Sequence, residues 1–536
     1  MSEARTVRSG FLRSRARFPD RPAIAIGGRT LSYAGLHARA ASLAATLQRR
    51  APGDAPPLTA VLGQRSETLY ASVLGALLRG HGYVPLNPAF PAARSRAMLE
   101  RSECAALVAD AATEAYLERV LEGIERRLLL VLPDRDGAEP IAKRLSRHEI
   151  VTGSDLALAS DWRETPVDPD AIAYLLFTSG STGVPKGVMV AHRNVTHFID
   201  VMTERYRITE SDRLSQLFDL TFDLSAFDMF MAWESGACLC PPTPKQKLVP
   251  SAYVGDAALS IWFSVPSTAV LLSRLGKLKP DLYPGLRLAL FCGEALPVDV
   301  IQAFAAAAPN AVVENIYGPT EVTIACTAYR WDPVRSPVES ELGLVPIGEP
   351  YPGMQALVAD ASLHEVPPGA SGELLMSGPQ VSLGYWKDAE KTAAAFVTPP
   401  GRSGVFYRTG DRVRRAREGA PLVYLGRIDN QIKIQGYRVE LEEVESILRE
   451  TADVEVAIAV GWPVNPSGAD GIVAFLGAAN ADLDAIRDRL KLRLPPYMVP
   501  REIRLQPEFP LNANGKVDRK ALRAQLESNA ESDETS

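Results

Sequence analysis

Apolar residues recur first at helical and then at strand spacing, in turn, through the first 450 residues of the chain. After Leu31-Ser32-Tyr33, the residues Leu36, Ala40, Leu43 and Leu47 fall on one helix face. Leu58–Leu62 then reads as a strand and residues 69–78 as a second helix. Such alternation buries its apolar surface only when helices layer onto sheets, so it predicts an α/β core and excludes an all-α or all-β one. At 536 residues the chain exceeds a single ordinary core, and at least two domains are expected.

From Gly426 onward the pattern changes. An acidic helix over 440–450 carries Leu441, Val444 and Leu448 on one face, strands follow over 454–460 and Ile472–Leu476, and a last helix from Asp482 turns Leu483, Ile486, Leu490 and Leu494 inward. These elements suffice for a small α+β domain with its own core. The expected division is a core of residues 1–427, a smaller domain of 428–525, and a tail of 526–536. The tail, with Glu527, Glu531, Asp533 and Glu534, reads as disordered. Glu440, Glu442, Glu443 and Glu445 read as a solvated helix face without chemistry.

Composition narrows the function classes. With 58 basic against 64 acidic residues, a formal charge of −6 and 46% hydrophobic residues, the chain lacks the basic excess of a nucleic-acid binder. No apolar run approaches the ~18 residues of a membrane span, and Arg5, Arg8, Arg13, Arg15 and Arg17 precede no signal-peptide core, so a cytoplasmic protein is expected. Cys104, Cys238, Cys240, Cys292 and Cys326 form no CxxC pair, which predicts reduced, buried thiols and no structural zinc.

The densest chemistry lies at Thr178-Ser179-Gly180-Ser181-Thr182-Gly183-Val184-Pro185-Lys186-Gly187, directly after the apolar run 172–177. Glycines let a backbone approach a ligand, hydroxyls and amide N–H groups bind phosphate oxygens, and a lysine adds charge, which together make a polyphosphate cradle. It is not the P-loop of kinases, because Pro185 stands where that pattern has glycine and Gly187 where it has Ser or Thr. A second feature is Phe222-Asp223-Leu224-Ser225. A carboxylate among Phe222, Leu224, Phe227 and Phe230 is costly to bury unpaired, so Asp223 either meets a cation brought by a ligand or caps a helix. His192 and His197 read as structural.

The glycine-rich loop resembles the signature of the adenylate-forming superfamily, which includes acyl-CoA synthetases, luciferases and the adenylation domains of nonribosomal peptide synthesis. Further motifs agree in order: Asn315-Ile316-Tyr317-Gly318-Pro319-Thr320-Glu321, Tyr407-Arg408-Thr409-Gly410-Asp411, the stretch from Gly426-Arg427-Ile428-Asp429 to Gly436-Tyr437-Arg438, and Asn514-Gly515-Lys516-Val517-Asp518-Arg519. The resemblance implies ATP and Mg2+ as cofactors and a small C-terminal domain that rotates about a hinge at Asp429. It assigns ATP binding to Thr178, Ser179, Gly180, Ser181, Thr182 and Lys186. Gly293, Glu294, Asn315, Ile316, Tyr317, Gly318, Pro319 and Thr320 extend that site, with Tyr317 stacked on adenine, and Asp411 joins it at the ribose with Tyr424 and Arg427. Glu321 is implied as the Mg2+ ligand, a hard oxygen of the kind that ion prefers. Lys516 is the implied catalytic lysine of adenylation and also touches substrate; Lys433 and Gly436 belong to the thioester-forming pose, Gly436 in the thiol tunnel.

In amino-acid-activating members the Asp of FDxS pairs with the substrate α-ammonium, and Asp223 matches it. The implied pocket beside it comprises Leu224, Phe227, Thr268, Leu290, Cys292, Ile316, Ile324 and Ala325, none of which carries charge, so a small apolar amino acid is expected, alanine first. Phe222-Asp223-Leu224-Ser225 with Asp228, Leu290-Phe291-Cys292-Gly293-Glu294 and Gln431-Ile432-Lys433 look like the stand-alone ligases that load D-alanine onto a carrier protein; in those ligases the position of Cys292 contacts the substrate near its α-carbon. Related ligases use glycine, proline or β-amino acids. Asn87 departs from the usual Asp. Because no carrier domain of ~80 residues follows Arg519, the acceptor is expected to be a phosphopantetheinylated carrier protein in trans. Two competing readings are an acyl-CoA synthetase for a plain acid, disfavoured by Asp223, and an inactive adenylate-binding scaffold, disfavoured by intact Lys186, Glu321, Asp411 and Lys516.

Overall fold

The computed structural model describes residues 5–180, 185–417, 419–465, 468–511 and 517–534. Among these residues the larger part of the chain builds three sheets. A seven-stranded sheet runs in the order Glu149–Thr152, Leu129–Leu132, Ala106–Ala109, Leu58–Leu62, Gly82–Leu86, Ile172–Thr178, Lys186–Ala191, parallel except for its last hairpin. A nine-stranded sheet has a parallel centre that includes Arg213–Ser215, Ile261–Ser264, Leu288–Phe291 and Val312–Tyr317. A five-stranded antiparallel sheet includes Ser371–Ser377, Phe406–Arg414 and Val423–Arg427.

The layering follows from strand alternation. Val61 and the neighbouring helix residues Leu43 and Leu74 join one apolar cluster, which also takes Ile261 and Phe263 of the nine-stranded sheet. Ala60 and Leu62 point the other way into a second cluster, and Trp262 into a third. Two sheets thus share a central helical layer and each has a further covered face, the arrangement the alternating pattern predicts.

The smaller C-terminal domain has a core of its own, including Val444, Leu448, Ala459, Ala474, Leu490 and Ile503. It contains the hairpin Gln431–Ile434 with Tyr437–Glu440, the helices Leu441–Ala452 and Leu483–Lys491, and a sheet of Ala457–Gly461, Ile472–Leu476 and Glu502–Leu505. Asp482 caps the second helix, accepting from the Ala485 N–H at 3.0 Å, which is why that helix starts where the sequence places it.

Three expectations are corrected. Residues 526–534 are not an unstructured tail: they continue the helix Arg519–Glu534, whose Leu522 and Leu526, four apart, are buried against Val460 and Phe475. Glu443 and Glu445 are not solvated; both are buried, because arginines reach them from elsewhere in the chain. The strand expected over 454–460 begins at Ala457. All five cysteines are buried free thiols, as expected, and no helix among the described residues is long and apolar enough to cross a membrane.

Candidate active site

The ends of the central strands of both sheets converge on a cavity of about 620 Å³ roofed by the C-terminal domain. Crevices at the carboxyl ends of parallel strands are where such folds bind ligands. Thr178 and Ser179 line it from the seven-stranded sheet; Gly293 and Glu294 follow the strand Leu288–Phe291; and Asn315, Ile316, Tyr317, Gly318, Pro319 and Thr320 continue the strand Val312–Tyr317. Asp223 and Leu224 enter at the start of the helix Leu224–Ser235. Asp411, Tyr424, Arg427 and Asp429 line the same cavity from the five-stranded sheet and its exit, and Lys433 from the C-terminal hairpin.

The phosphate-loop expectation has a structural basis in the hairpin register, which sets Thr178 opposite Lys186. Lys186 Nζ lies 3.4 Å from Glu321 Oε1 and 3.2 Å from the Tyr385 hydroxyl, itself a donor to Glu321 Oε1 at 2.8 Å. Arg438 donates to the other carboxylate oxygen at 3.0 Å. Glu321 is fully buried; burial pushes its carboxyl up, but the Arg438 and Lys186 charges outweigh that and hold it well below the usual range. Burial, with Arg438 close by, lowers the Lys186 ammonium. Ser181 and Thr182 lie outside the described residues, as does Lys516.

On the ribose motif, Asp411 accepts from Arg427 Nη1 at 2.9 Å on one oxygen and from the Tyr317 hydroxyl on the other. Arg427 also donates to Asp429 Oδ1 at 2.9 Å, so the expected hinge residue is an ion-pair partner of the strand before it. Asn315 donates to Pro346 O at 2.9 Å. Gly318 permits close packing, since a Cβ there would lie 2.5 Å from Ala325 Cα.

Asp223 makes no side-chain cap bond to its helix. It is buried, and Oδ2 accepts from the Ile324 N–H at 3.3 Å. Burial raises its carboxyl to about 7, against a hydrogen bond from Thr320 and the Lys433 charge. The donor is presented by a strained turn: Thr323 and Ile324 have φ of 58° and 71°, a region β-branched residues avoid. Gln380, buried, clamps that turn, donating to Ala325 O at 2.6 Å and accepting at its own carbonyl from Thr323 Oγ1 at 2.7 Å. Around Asp223, Ile316 and Leu224 line the cavity, whereas Phe227, Thr268, Leu290, Cys292, Ile324 and Ala325 are not among its lining residues. Phe227, Leu290, Cys292, Ile324 and Ala325 are buried behind it, and Thr268 is half-buried on the helix Pro266–Arg274. Burial lifts the Cys292 thiol to about 12, so it stays neutral.

Gly436 sits where the C-terminal hairpin meets the core. Its N–H donates to Glu294 Oε1, its φ is 83°, and a Cβ would come 2.4 Å from Val265 Cγ1, so only glycine fits. Glu294 also accepts from the Ser267 N–H at 2.7 Å, and burial raises its carboxyl. Sequence reasoning missed Tyr385, Gln380, Asp219, which accepts from the Tyr437 hydroxyl at 2.8 Å, Arg94, which donates to Glu443 at 2.6 Å, and the contact roles of Arg438 and Glu443. Their partners are far along the chain, and the one local signal was Arg438 inside the hinge motif.

Glu321 offers an ionised hard oxygen, and Thr178 Oγ1 is a buried oxygen without a partner among the described residues, so the donor chemistry of these two groups fits a magnesium–phosphate group.

The family model for "AMP-binding enzyme" matches residues 11–386, and that for "AMP-binding enzyme C-terminal domain" matches 443–516. A probable non-canonical nonribosomal peptide synthetase, CymA of Salinispora arenicola, is 36% identical over 97% of this chain, which spans 6% of that protein's length. Among solved structures, the Vibrio cholerae adenylation domain AlmE in complex with glycyl-adenosine-5'-phosphate is 31% identical, with a TM-score of 0.87 over 97% of this chain and 98% of its own. A holo nonribosomal peptide synthetase protein containing adenylation and PCP domains, bound to a vinylsulfonamide inhibitor, is 25% identical, with a TM-score of 0.78 over 96% of this chain and 84% of its own.

Proposed function

Because this chain belongs to the AMP-binding enzyme family, we propose that it activates a small apolar amino acid, alanine first, as the aminoacyl adenylate and passes it to the phosphopantetheine thiol of a carrier protein supplied in trans. The observation that carries the amino-acid reading is Asp223, a buried carboxylate at the cavity wall that caps no helix. A buried carboxylate without a cation is costly, and a substrate α-ammonium supplies one. The apolar Leu224 and Ile316 that line the cavity with it, and the glycyl adenylate held by AlmE, favour a short side chain.

In this reading the substrate carboxylate attacks the α-phosphorus of ATP and pyrophosphate leaves. Lys186 and Lys516 offset the charge that builds on the phosphates. Glu321 would hold Mg2+, which would polarise phosphate oxygens when bound. Asp411 takes the ribose hydroxyls and Tyr317 the adenine. Incubating the protein with ATP, magnesium, alanine and a holo carrier is expected to add one alanyl group to the carrier by intact mass spectrometry. An unmodified carrier together with efficient alanyl-CoA formation from free CoA would contradict the carrier reading, and no adenylate with any amino acid would contradict the activation itself.

A further inference from the structure

The Ile324 N–H that reaches Asp223 Oδ2 at 3.3 Å is held there by a side chain outside the cavity lining. Gln380 is fully buried; its Nε2 donates to Ala325 O at 2.6 Å and to Val322 O and Thr323 O at 3.3 Å each. Three carbonyls of one turn only accept, so the amide nitrogen faces them and Oε1 faces away. Oε1 meets His197 Nδ1 at 3.2 Å, and because the amide oxygen also only accepts, that ring nitrogen carries a proton. Asn194 fixes the main chain on either side of Gln380, donating to Pro379 O at 2.7 Å and Val381 O at 2.9 Å, and it shares the helix His192–Tyr206 with His197.

The turn needs such a hold. Thr323 and Ile324 both keep a positive φ, which β-branched residues leave unless their surroundings over-determine it. A relaxed Ile324 would rotate its N–H away from Asp223, and among the described residues that N–H is the main-chain donor to this carboxylate. We propose that Gln380, oriented by His197, is a positioning residue for amino-acid binding: it fixes the Ile324 N–H on Asp223 and so sets the affinity for the substrate α-ammonium. The inference rests on the amino-acid reading above. It extends the control of that site to two side chains 157 and 26 residues away from Asp223 along the chain, neither of which lines the cavity.

The test is amino-acid-dependent ATP–pyrophosphate exchange across pH, with alanine or, where the parent protein prefers another amino acid, with that one. Gln380→Met keeps the length of the side chain and removes its donor. It is expected to raise the amino-acid KM at least ~10-fold, the worth of a hydrogen bond to a charged group, and to leave the ATP KM within ~2-fold. A second readout is the pH profile. Burial raises the Asp223 carboxyl, and the Thr320 hydroxyl, the Lys433 charge and the Ile324 N–H oppose it, whereas Glu321, Tyr83, Tyr174 and Cys292 add no favourable charge. Losing the N–H raises the carboxyl further, and only its ionised form holds an ammonium. The pH below which amino-acid affinity falls is therefore expected to move up in Gln380→Met, a change that lost stability alone does not produce. His197→Leu, which leaves the amide free to rotate, is expected to show both changes in weaker form. His197→Asn, whose amide donates from the position of Nδ1, is expected to recover the parent values, and this pair carries the test where Gln380→Met does not fold. Gln380→Met or His197→Leu with a lowered melting temperature but the parent's KM and pH profile would overturn the positioning role alone. A parent protein that shows exchange with no amino acid would instead overturn the amino-acid reading, and the inference with it.

Discussion

Asp223 is the residue on which the amino-acid reading turns, and its environment makes two measurable demands. Burial raises its carboxyl to about 7, and only the ionised form attracts an α-ammonium. The free site therefore has to lose a proton before substrate binds below that pH. Amino-acid affinity is expected to be constant above about pH 8 and to fall roughly tenfold per unit below pH 7, while ATP affinity does not follow this profile. Asp223→Ala is expected to raise the amino-acid KM by at least ~10²-fold, as removing one partner of a buried pair does, and to flatten the pH profile. A variant with unchanged amino-acid KM but a lower melting temperature would make Asp223 a structural residue. The motif around Asp223 was legible in the sequence because its apolar neighbours are adjacent in the chain. The Gln380 clamp on the strained turn at Thr323 and Ile324 was not, because its contacts depend on how the five-stranded sheet region packs against that turn.

At the scale of elements, the helix Leu441–Ala452 shows where pattern reading ends. Its apolar stripe, Leu441, Val444 and Leu448, was legible from helical spacing and is buried. Its acidic residues looked solvated because charge alone does not reveal a distant partner. Glu443 meets Arg94 across 349 residues of chain, and Glu445 meets Arg519 across 74. Glu445 also accepts from the Ala459 N–H at 2.8 Å, tying helix, strand and the last helix together. Glu445→Ala removes the acceptor of that N–H and the carboxylate of the Arg519 pair, leaving Arg519 the Ala459 carbonyl at 2.9 Å, and is expected to destabilise the C-terminal domain by roughly 3 kcal/mol. Calorimetric melting of the whole protein would show this as a lowered transition; an unchanged melt would mean that solvent replaces the pair at no cost.

Across the whole molecule, the two-domain α/β architecture was legible because hydrophobic period and motif order are local properties. Which face of the small domain meets the core is a tertiary choice that no window of sequence encodes. Here it is the face carrying Lys433 and Gly436, and Lys433 shares the cavity with Asp223. If opposite faces serve the two half-reactions, the lysines separate. Lys516→Ala is expected to slow adenylate formation by ~10²-fold or more, the cost of losing a charge that stabilises the transition state. Lys433→Ala is expected to spare adenylate formation and slow thioester transfer; equal loss of both steps in Lys433→Ala would contradict the two-pose reading. The central claim is adenylation of a small apolar amino acid, and amino-acid-dependent ATP–pyrophosphate exchange tests it most directly. With a panel of L-, D- and β-amino acids beside plain carboxylic acids, the expected result is exchange led by alanine, with weaker exchange for glycine or serine because apolar walls discriminate by only ~1–3 kcal/mol per methylene. Exchange led by an aromatic or charged amino acid, or by an acid with no amino group, would contradict it.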